Sequence, residues 1–267
     1  MNNAAKILVI DDEPVIVESV VRLCSSEGME VDGVLDAKEA LKKIERYNYE
    51  LIITDIMMPE MDGFQFLSTI RRMNIQTPVI ITTGYSTVEN AVKSLSEGAI
   101  DFLPKPFTFE ELISCAQRGL KYGQILKNIL AKNKPGQFND EFVPCPVSYY
   151  RLGYNTWIRP DMDGSAKTGV TDLFLKIIGS VKQVQLFQPD EEILQGNMCA
   201  QIETDAGLIH TVLAPLSGRI MQRNEALISE PSLLEKDPFF EGYIYRVLPS
   251  HLEKEMSQLI PCGANQL

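Results

Sequence analysis

The sequence predicts two domains of different class, an α/β domain built on a doubly wound, five-stranded parallel sheet and, after it, an all-β domain. Three observations lead there. At 267 residues the chain is longer than one hydrophobic core usually organises. Its first half alternates short apolar runs with stretches of helical spacing, while its second half breaks into short β-like runs separated by turns.

The first half opens with KILVI over 6–10, followed by Val15, Val17, Val20, Val21 and Leu23 at helical spacing. MEVDGV over 29–34 comes next, and then Ala37, Ala40, Leu41 and Ile44 mark a second helix. ELIIT (50–54), PVIIT (78–82) and AIDFL (99–103) supply three more strands. Repeated strand–helix–strand order implies a parallel sheet covered by helices on both faces. Breakers fall between the elements, at Pro59, Asp62 and Gly63, at Gly84, at Gly98, and at Pro104 and Pro106.

In such a sheet the ligand site lies beyond the carboxyl ends of the strands, where the strand order reverses. The residues at those ends are Asp11 and Asp12 after the first strand, Asp55 after the third, Thr83 after the fourth and Lys105 after the fifth. Three carboxylates, a hydroxyl and an ammonium are therefore expected in one place. Clustered carboxylates resist ionising together unless a cation sits among them. A solvent-open set of hard oxygen ligands suits Mg²⁺, which keeps part of its water and binds phosphate oxygens.

These residues lie in four segments: VIDDEP (9–14), ITDIMMPEMDG (53–63), ITTGY (81–85) and LPKPF (103–107). In this order and spacing, residues 4 to about 122 resemble the receiver domain of two-component response regulators, a flavodoxin-like fold. The resemblance implies that Asp55 accepts a phosphoryl group from the phosphohistidine of a sensor histidine kinase. It implies that Asp12, Asp55 and the main-chain carbonyl of Met57 bind Mg²⁺ directly, with Asp11 acting mainly through coordinated water. Thr83 and Lys105 would contact the acquired phosphoryl group, as the screening of a carboxylate attacking phosphorus requires. Thr83 and Phe102 would act as the switch pair, and residues 87–122 as the output face. The Lys105–Pro106 bond is commonly cis in this family. Met57 and Tyr85 occupy the positions that tune phosphoryl lifetime there; neither carries an acid or amide to orient water, so slow self-dephosphorylation is expected.

Between the halves, Leu112, Ala116, Leu120, Ile125, Leu126, Ile129 and Leu130 continue a helical pattern, which Gly119 and Gly123 weaken. Pro135, Gly136, Pro144 and Pro146 then mark a linker. The expected organisation is a receiver domain over 1–122, a helical extension and linker over 123–146, and a second domain over 147–267. In that domain TWI, AKTGVT, VKQVQLF, MCAQIET, LIHTVLA, GRIMQRN and GYIYRVL read as strands. Only Asp172–Gly179 and Ser250–Ile260 read as helices, the latter with a capping box between Ser250 and Glu253. Trp157 on an early strand reads as core.

Three segments of the second domain, TGVTDLFLKIIGSV, VQLFQPDEEILQGNMCAQIET and APLSGRIMQRNEALISEPSLLEKDPFFEGYIYRV, give it a likeness to the glycine-cleavage H protein, a barrel-sandwich of the biotinyl/lipoyl class. In that family a lysine at a hairpin tip carries lipoate, and the tip should lie just before APLSG. Here the segment QIETDAGLIHTVLAPLSG (201–218) contains no lysine, and none occurs between Lys182 and Lys236. Lipoyl attachment is an amide to an ε-amine, so a swinging arm at that tip is excluded by chemistry. His210 and His251 lie too far apart in the chain to suggest a metal site.

The formal net charge is −11, and acidic residues exceed basic ones in both halves. That disfavours binding to a nucleic-acid backbone. No apolar run reaches membrane-spanning length and the amino terminus does not read as a signal peptide, so a cytoplasmic protein is expected. The five cysteines are scattered with no CxxC pair, which argues for reduced thiols. The reading is a phosphoacceptor signalling protein, not an enzyme in the metabolic sense. Its partners would be a sensor histidine kinase and a protein bound by the second domain, or a second copy of the chain. The competing reading is an accessory or carrier protein of a metabolic or redox complex, controlled by the receiver.

Overall fold

The structure is a computed structural model that describes residues 6–84, 87–132 and 141–263. The chain divides into two units, with the first ending at Lys132.

In the first unit, five parallel strands, β1 (Lys6–Ile10), β2 (Glu30–Val34), β3 (Leu51–Asp55), β4 (Val79–Thr83) and β5 (Asp101–Pro104), stand in the order β2-β1-β3-β4-β5. β3 and β4 are buried at every position, as strands covered on both faces must be. The chain steps from β1 outward to β2 and then returns to the other side of β1 with β3. The reversal therefore lies between β1 and β3, above Asp11 and Asp55.

Five helices cover the sheet: α1 (Pro14–Ser26), α2 (Ala37–Ile44), α3 (Gly63–Arg72), α4 (Val88–Ser96) and α5 (Phe109–Lys132). Local chemistry sets their starts. Pro14 occupies the first turn of α1, where its missing N–H costs nothing. Asp36 caps α2 by accepting from the Glu39 N–H at 2.7 Å. Asp62 and Gln65 form a reciprocal capping box on α3, and Thr108 and Glu111 do the same for α5. α1 buries Val17, Val20 and Cys24, whereas Val15, which the spacing put on the apolar face, is 71% exposed.

Gly119 and Gly123 have a packing role that their low helix propensity hides. A Cβ on Gly119 would lie 2.6 Å from Leu51 Cδ1 and 3.1 Å from Ile100 Cδ1; one on Gly123 would lie 3.0 Å from Pro78 Cγ. The two glycines let α5 sit directly on the sheet, and the helix runs through both without interruption. The expected linker residues Pro135 and Gly136 lie outside the described residues.

The second unit is antiparallel. Its larger sheet has the order β10-β13-β14-β8-β7-β6-β15 and its smaller one β12-β11-β9. The seven strands read from sequence are β7 (Thr156–Pro160), β8 (Ala166–Val170), β9 (Val181–Leu186), β11 (Met198–Thr204), β12 (Ile209–Leu213), β13 (Gly218–Arg223) and β14 (Tyr245–Pro249). The structure adds β6 (Tyr150–Leu152), β10 (Glu192–Ile193) and β15 (Ile260–Pro261), which are too short to show a periodicity. Ile158, Val170, Ile202, Val212, Ile220 and Val247 meet in the core between the sheets. Trp157 is fully buried; its Nε1–H donates to the carbonyls of Val170 (2.9 Å) and Pro238 (3.1 Å).

α6 (Asp172–Ile178) forms where expected, capped by the Thr171 hydroxyl. The expected terminal helix over Ser250–Ile260 does not form at that length. α9 covers only Leu252–Met256, its N-cap is His251, and no side chain caps it. Ser250 is drawn away instead, because its N–H donates to the Ser217 carbonyl at 3.0 Å. Ile260 then leaves the helix to pair with Arg151 on β6. Two single-turn helices, α7 (Ala226–Ser229) and α8 (Leu233–Lys236), were not predicted; each is anchored by one fully buried leucine, Leu227 and Leu234.

Candidate functional site

β3 ends in Asp55, a carboxylate that is only 3% exposed. Asp11, in the first position after β1, is 2% exposed. Two buried carboxylates this close require a positive partner. Lys105, in the turn after β5, supplies it: its Nζ lies 2.6 Å from Asp11 Oδ2 and 2.6 Å from Asp55 Oδ1. The backbone holds both acids as well. The Glu13 N–H donates to Asp11 Oδ1 at 3.1 Å, and the Met57 N–H donates to Asp55 Oδ2 at 2.5 Å.

Burial pushes the Asp11 carboxyl above the usual carboxylate range, and the hydrogen bond from Lys105 only partly opposes this. For Lys105 the balance is reversed. Burial works to lower it, but its hydrogen bonds to Asp11 and Asp55 leave it above the ordinary lysine value. The two carboxylates thus favour the charged form of the ammonium.

The remaining predicted residues take their places around this centre. Thr83 ends β4 and is fully buried; its carbonyl accepts from the Lys105 N–H at 2.8 Å, which ties the lysine turn to β4. Lys105–Pro106 is cis. Phe102 is partly buried against the core beneath the sheet. Asp12 and Met57 are exposed, and Tyr85 lies outside the described residues. The structure thus brings Asp11, Asp55, Thr83 and Lys105 together at one strand-end cluster and leaves Asp12 and Met57 at its solvent edge.

One contributor carried a different reading in the sequence. Gly63, read as a helix breaker, starts α3 directly against the nucleophile candidate's own backbone. A Cβ there would lie 2.3 Å from the Asp55 carbonyl oxygen and 3.1 Å from Ile56 Cα. The signal in the sequence is the Asp62–Gly63 pair after a proline, a turn that only a residue without a side chain can bring so close.

As a donor set for a divalent cation the site is chemically apt. Every side-chain and main-chain group available to a metal is a hard oxygen, and three carboxylates against one ammonium leave an excess of negative charge. Among the described residues no three His, Cys, Asp or Glu side chains converge as a metal cluster. Lys105 bridges Asp11 and Asp55, and Asp12, next to Asp11 in the chain, is exposed at the edge of the cluster.

Comparison with known proteins places both units. The family model described as response regulator receiver domain matches residues 7–117, and that of the glycine cleavage H-protein matches residues 148–265. The first match falls on the parallel-sheet unit and the second on the antiparallel one. Among curated relatives, the transcriptional regulatory protein HprR of Escherichia coli (strain K12) is 40% identical over 125 residues, which is 47% of this chain and 56% of that protein. The chain spans about half the length of the curated relatives it matches. A solved Francisella response regulator 1452 receiver domain is 38% identical over 44% of this chain and 97% of its own, with a TM-score of 0.42. A solved H protein of the glycine cleavage system from Mycobacterium marinum is 27% identical over 40% of this chain and 87% of its own, with a TM-score of 0.37. Among the described residues no helix is long and apolar enough to cross a membrane.

In the second unit, the hairpin that precedes APLSG is β11–β12. Its turn holds Asp205, Ala206, Gly207 and Leu208, with no lysine on either strand. His210 is buried on β12 opposite Ile202. The APLSG loop that follows is fastened by residues distant in the chain. Glu255 of α9 accepts from the Ser217 N–H at 2.7 Å, and the Gln195 N–H donates to the Ser217 hydroxyl at 2.9 Å.

Proposed function

We propose that the chain is a two-component response regulator whose receiver domain is phosphorylated on Asp55 by a sensor histidine kinase. The observation that carries this reading is the pair of buried carboxylates, Asp11 and Asp55, bridged by Lys105 where the strand order reverses.

In the proposed step, an Asp55 carboxylate oxygen attacks the phosphorus of a phosphohistidine. The P–O bond forms, the P–N bond breaks, and the imidazole leaves. The chain's own groups meet the requirements of such a transfer. The Met57 N–H orients the carboxylate, and Lys105 offers its ammonium to the phosphoryl oxygens that arrive. Thr83 lies at the end of the adjacent strand, where its hydroxyl can donate to one of those oxygens after a rotation. Asp55, Asp12 and the Met57 carbonyl, with Asp11 through water, would hold Mg²⁺, whose chemistry there would be to screen the negative charge of donor and acceptor. The modified aspartate gains roughly two negative charges, enough to bias Thr83 and Phe102 between two arrangements.

The output would run through the H-protein domain acting as a protein-binding or dimerisation module. Its family resemblance without a carrier lysine supports a role in contact and not in group transfer. The receiver-regulated accessory role in a metabolic complex is the second reading, favoured by the match over 148–265 alone.

The test is incubation of the full chain with Mg²⁺ and acetyl phosphate, followed by intact-mass measurement. One phosphoryl adduct on the native chain and none on Asp55→Asn, with both folded by circular dichroism, is the expected result. An adduct of equal yield on Asp55→Asn would remove the proposal.

A further inference from the structure

We propose that Cys145 and Cys262 form a redox-sensitive dithiol that closes to a disulfide under a peroxide oxidant, fastening the entry and exit segments of the H-protein domain to each other. Neither residue belongs to a CxxC pair, and they stand far apart in the sequence. The fold joins them. β15 pairs with β6 so that Pro261 lies opposite Tyr150, and the Cys262 N–H donates to the Tyr149 carbonyl at 2.9 Å. A turn closed by the Tyr149 N–H on the Pro146 carbonyl, also 2.9 Å, brings the preceding residue, Cys145, back over the same spot. Both cysteines pack in one cluster with Tyr149, Trp157 and Phe239.

Cys145 packs against the cluster that holds Cys262, so the two side chains are neighbours in one small core. Closure to a bond of about 2.05 Å asks the two side chains to turn toward each other, a matter of side-chain rotation and a small shift of the loop. The remaining cysteines offer no such pair. Cys24, Cys115 and Cys199 are buried, and burial holds each thiol above its ordinary range. Cys262 differs: the hydrogen bond from Cys145, helped by the nearby Arg151 guanidinium, holds it below that range against the effect of burial. Cys145 is held above its ordinary range and is partly open to solvent. This is the arrangement of an attacking thiolate beside a resolving thiol.

The chemistry balances with hydrogen peroxide as the two-electron oxidant. The Cys262 thiolate takes one peroxide oxygen as the O–O bond breaks and hydroxide leaves, giving a sulfenic acid. The Cys145 sulfur then displaces hydroxide from that sulfur, an S–S bond forms, and the thiol proton and the hydroxide leave as water. Two thiols are oxidised and one peroxide is reduced to two waters. In a reducing compartment the product is transient, as redox-sensing disulfides there are.

The test uses the full chain, reduced and then freed of reductant, treated with hydrogen peroxide and titrated for thiols after unfolding in acid. The expected result is a fall from five thiols to three, with loss of two hydrogens and a Cys145–Cys262 cross-linked peptide on proteolytic mapping, reversed by dithiothreitol. Cys145→Ser should lose the reversible fall and accumulate a dimedone-reactive sulfenic acid on Cys262. The wild-type peptide map decides alone if that variant does not fold. Five thiols remaining, a cross-link between any other pair, or a disulfide between two chains would overturn the proposal.

Discussion

Gly63→Ala tests whether the candidate site depends on how closely α3 approaches the end of β3. The added methyl would sit 2.3 Å from the Asp55 carbonyl oxygen, with Asp55 C and Ile56 Cα each at 3.1 Å. Ordinary van der Waals contact begins near 3.4 Å, so something must move by about 1 Å, and the atoms in the way are backbone. Overpacking of this kind costs about 1–3 kcal/mol. For a domain of this size that lowers the melting temperature by roughly 3–15 °C. The functional cost is larger than the stability cost suggests. A displacement of that size carries the Asp55 carboxylate away from the Met57 N–H and from Lys105, and misplacement by about 1 Å can slow a positioned reaction by about 100-fold. The assay follows phosphoryl uptake from acetyl phosphate by intact mass over time, beside a circular dichroism melt. Uptake at the native rate with an unchanged melt would refute the reasoning, because it would mean that the backbone tolerates the methyl without moving the carboxylate.

Three further outcomes follow from the same geometry. Lys105→Met leaves two buried carboxylates without their ammonium; uptake on Asp55 should fall by about 100-fold while the fold is kept through protonation of Asp11, read from the adduct yield and a melt. Asp55→Asn should retain the fold and lose the adduct altogether. Gly119→Ala tests packing against propensity: alanine is favoured over glycine in a helix by about 1 kcal/mol, yet its methyl would meet Leu51 at 2.6 Å and Ile100 at 3.1 Å. The variant should melt below the native protein, and a higher melting temperature would show that propensity wins.

Much of the first unit could be read from the chain because its signals are local. Strands covered on both faces, such as β3 and β4, need nearly unbroken apolar runs, and all five segments read as strands lie within two residues of the observed ones. The candidate residues at the strand ends were legible for the same reason: parallel strands all point one way, so their carboxyl ends share one edge. The short strands β6, β10 and β15 were not legible, since two or three residues carry no period. The capping box at Ser250 failed because a tertiary partner, the Ser217 carbonyl, competed for the serine's backbone. Local chemistry proposes a cap, but a buried loop that needs donors can outbid it.

The amino-acid sequence alone determined the two classes of fold, the acids and the lysine available for chemistry, and the absence of an amine at the β11–β12 tip, since each depends only on residue type and spacing along the chain. Tertiary structure decided which of those groups meet. Lys105 is fifty residues from Asp55 yet lies 2.6 Å from it, and Cys145 reaches Cys262 only because β15 returns to pair with β6. Contacts between residues distant in the chain follow from strand order and close packing, and neither is written in any short stretch of sequence.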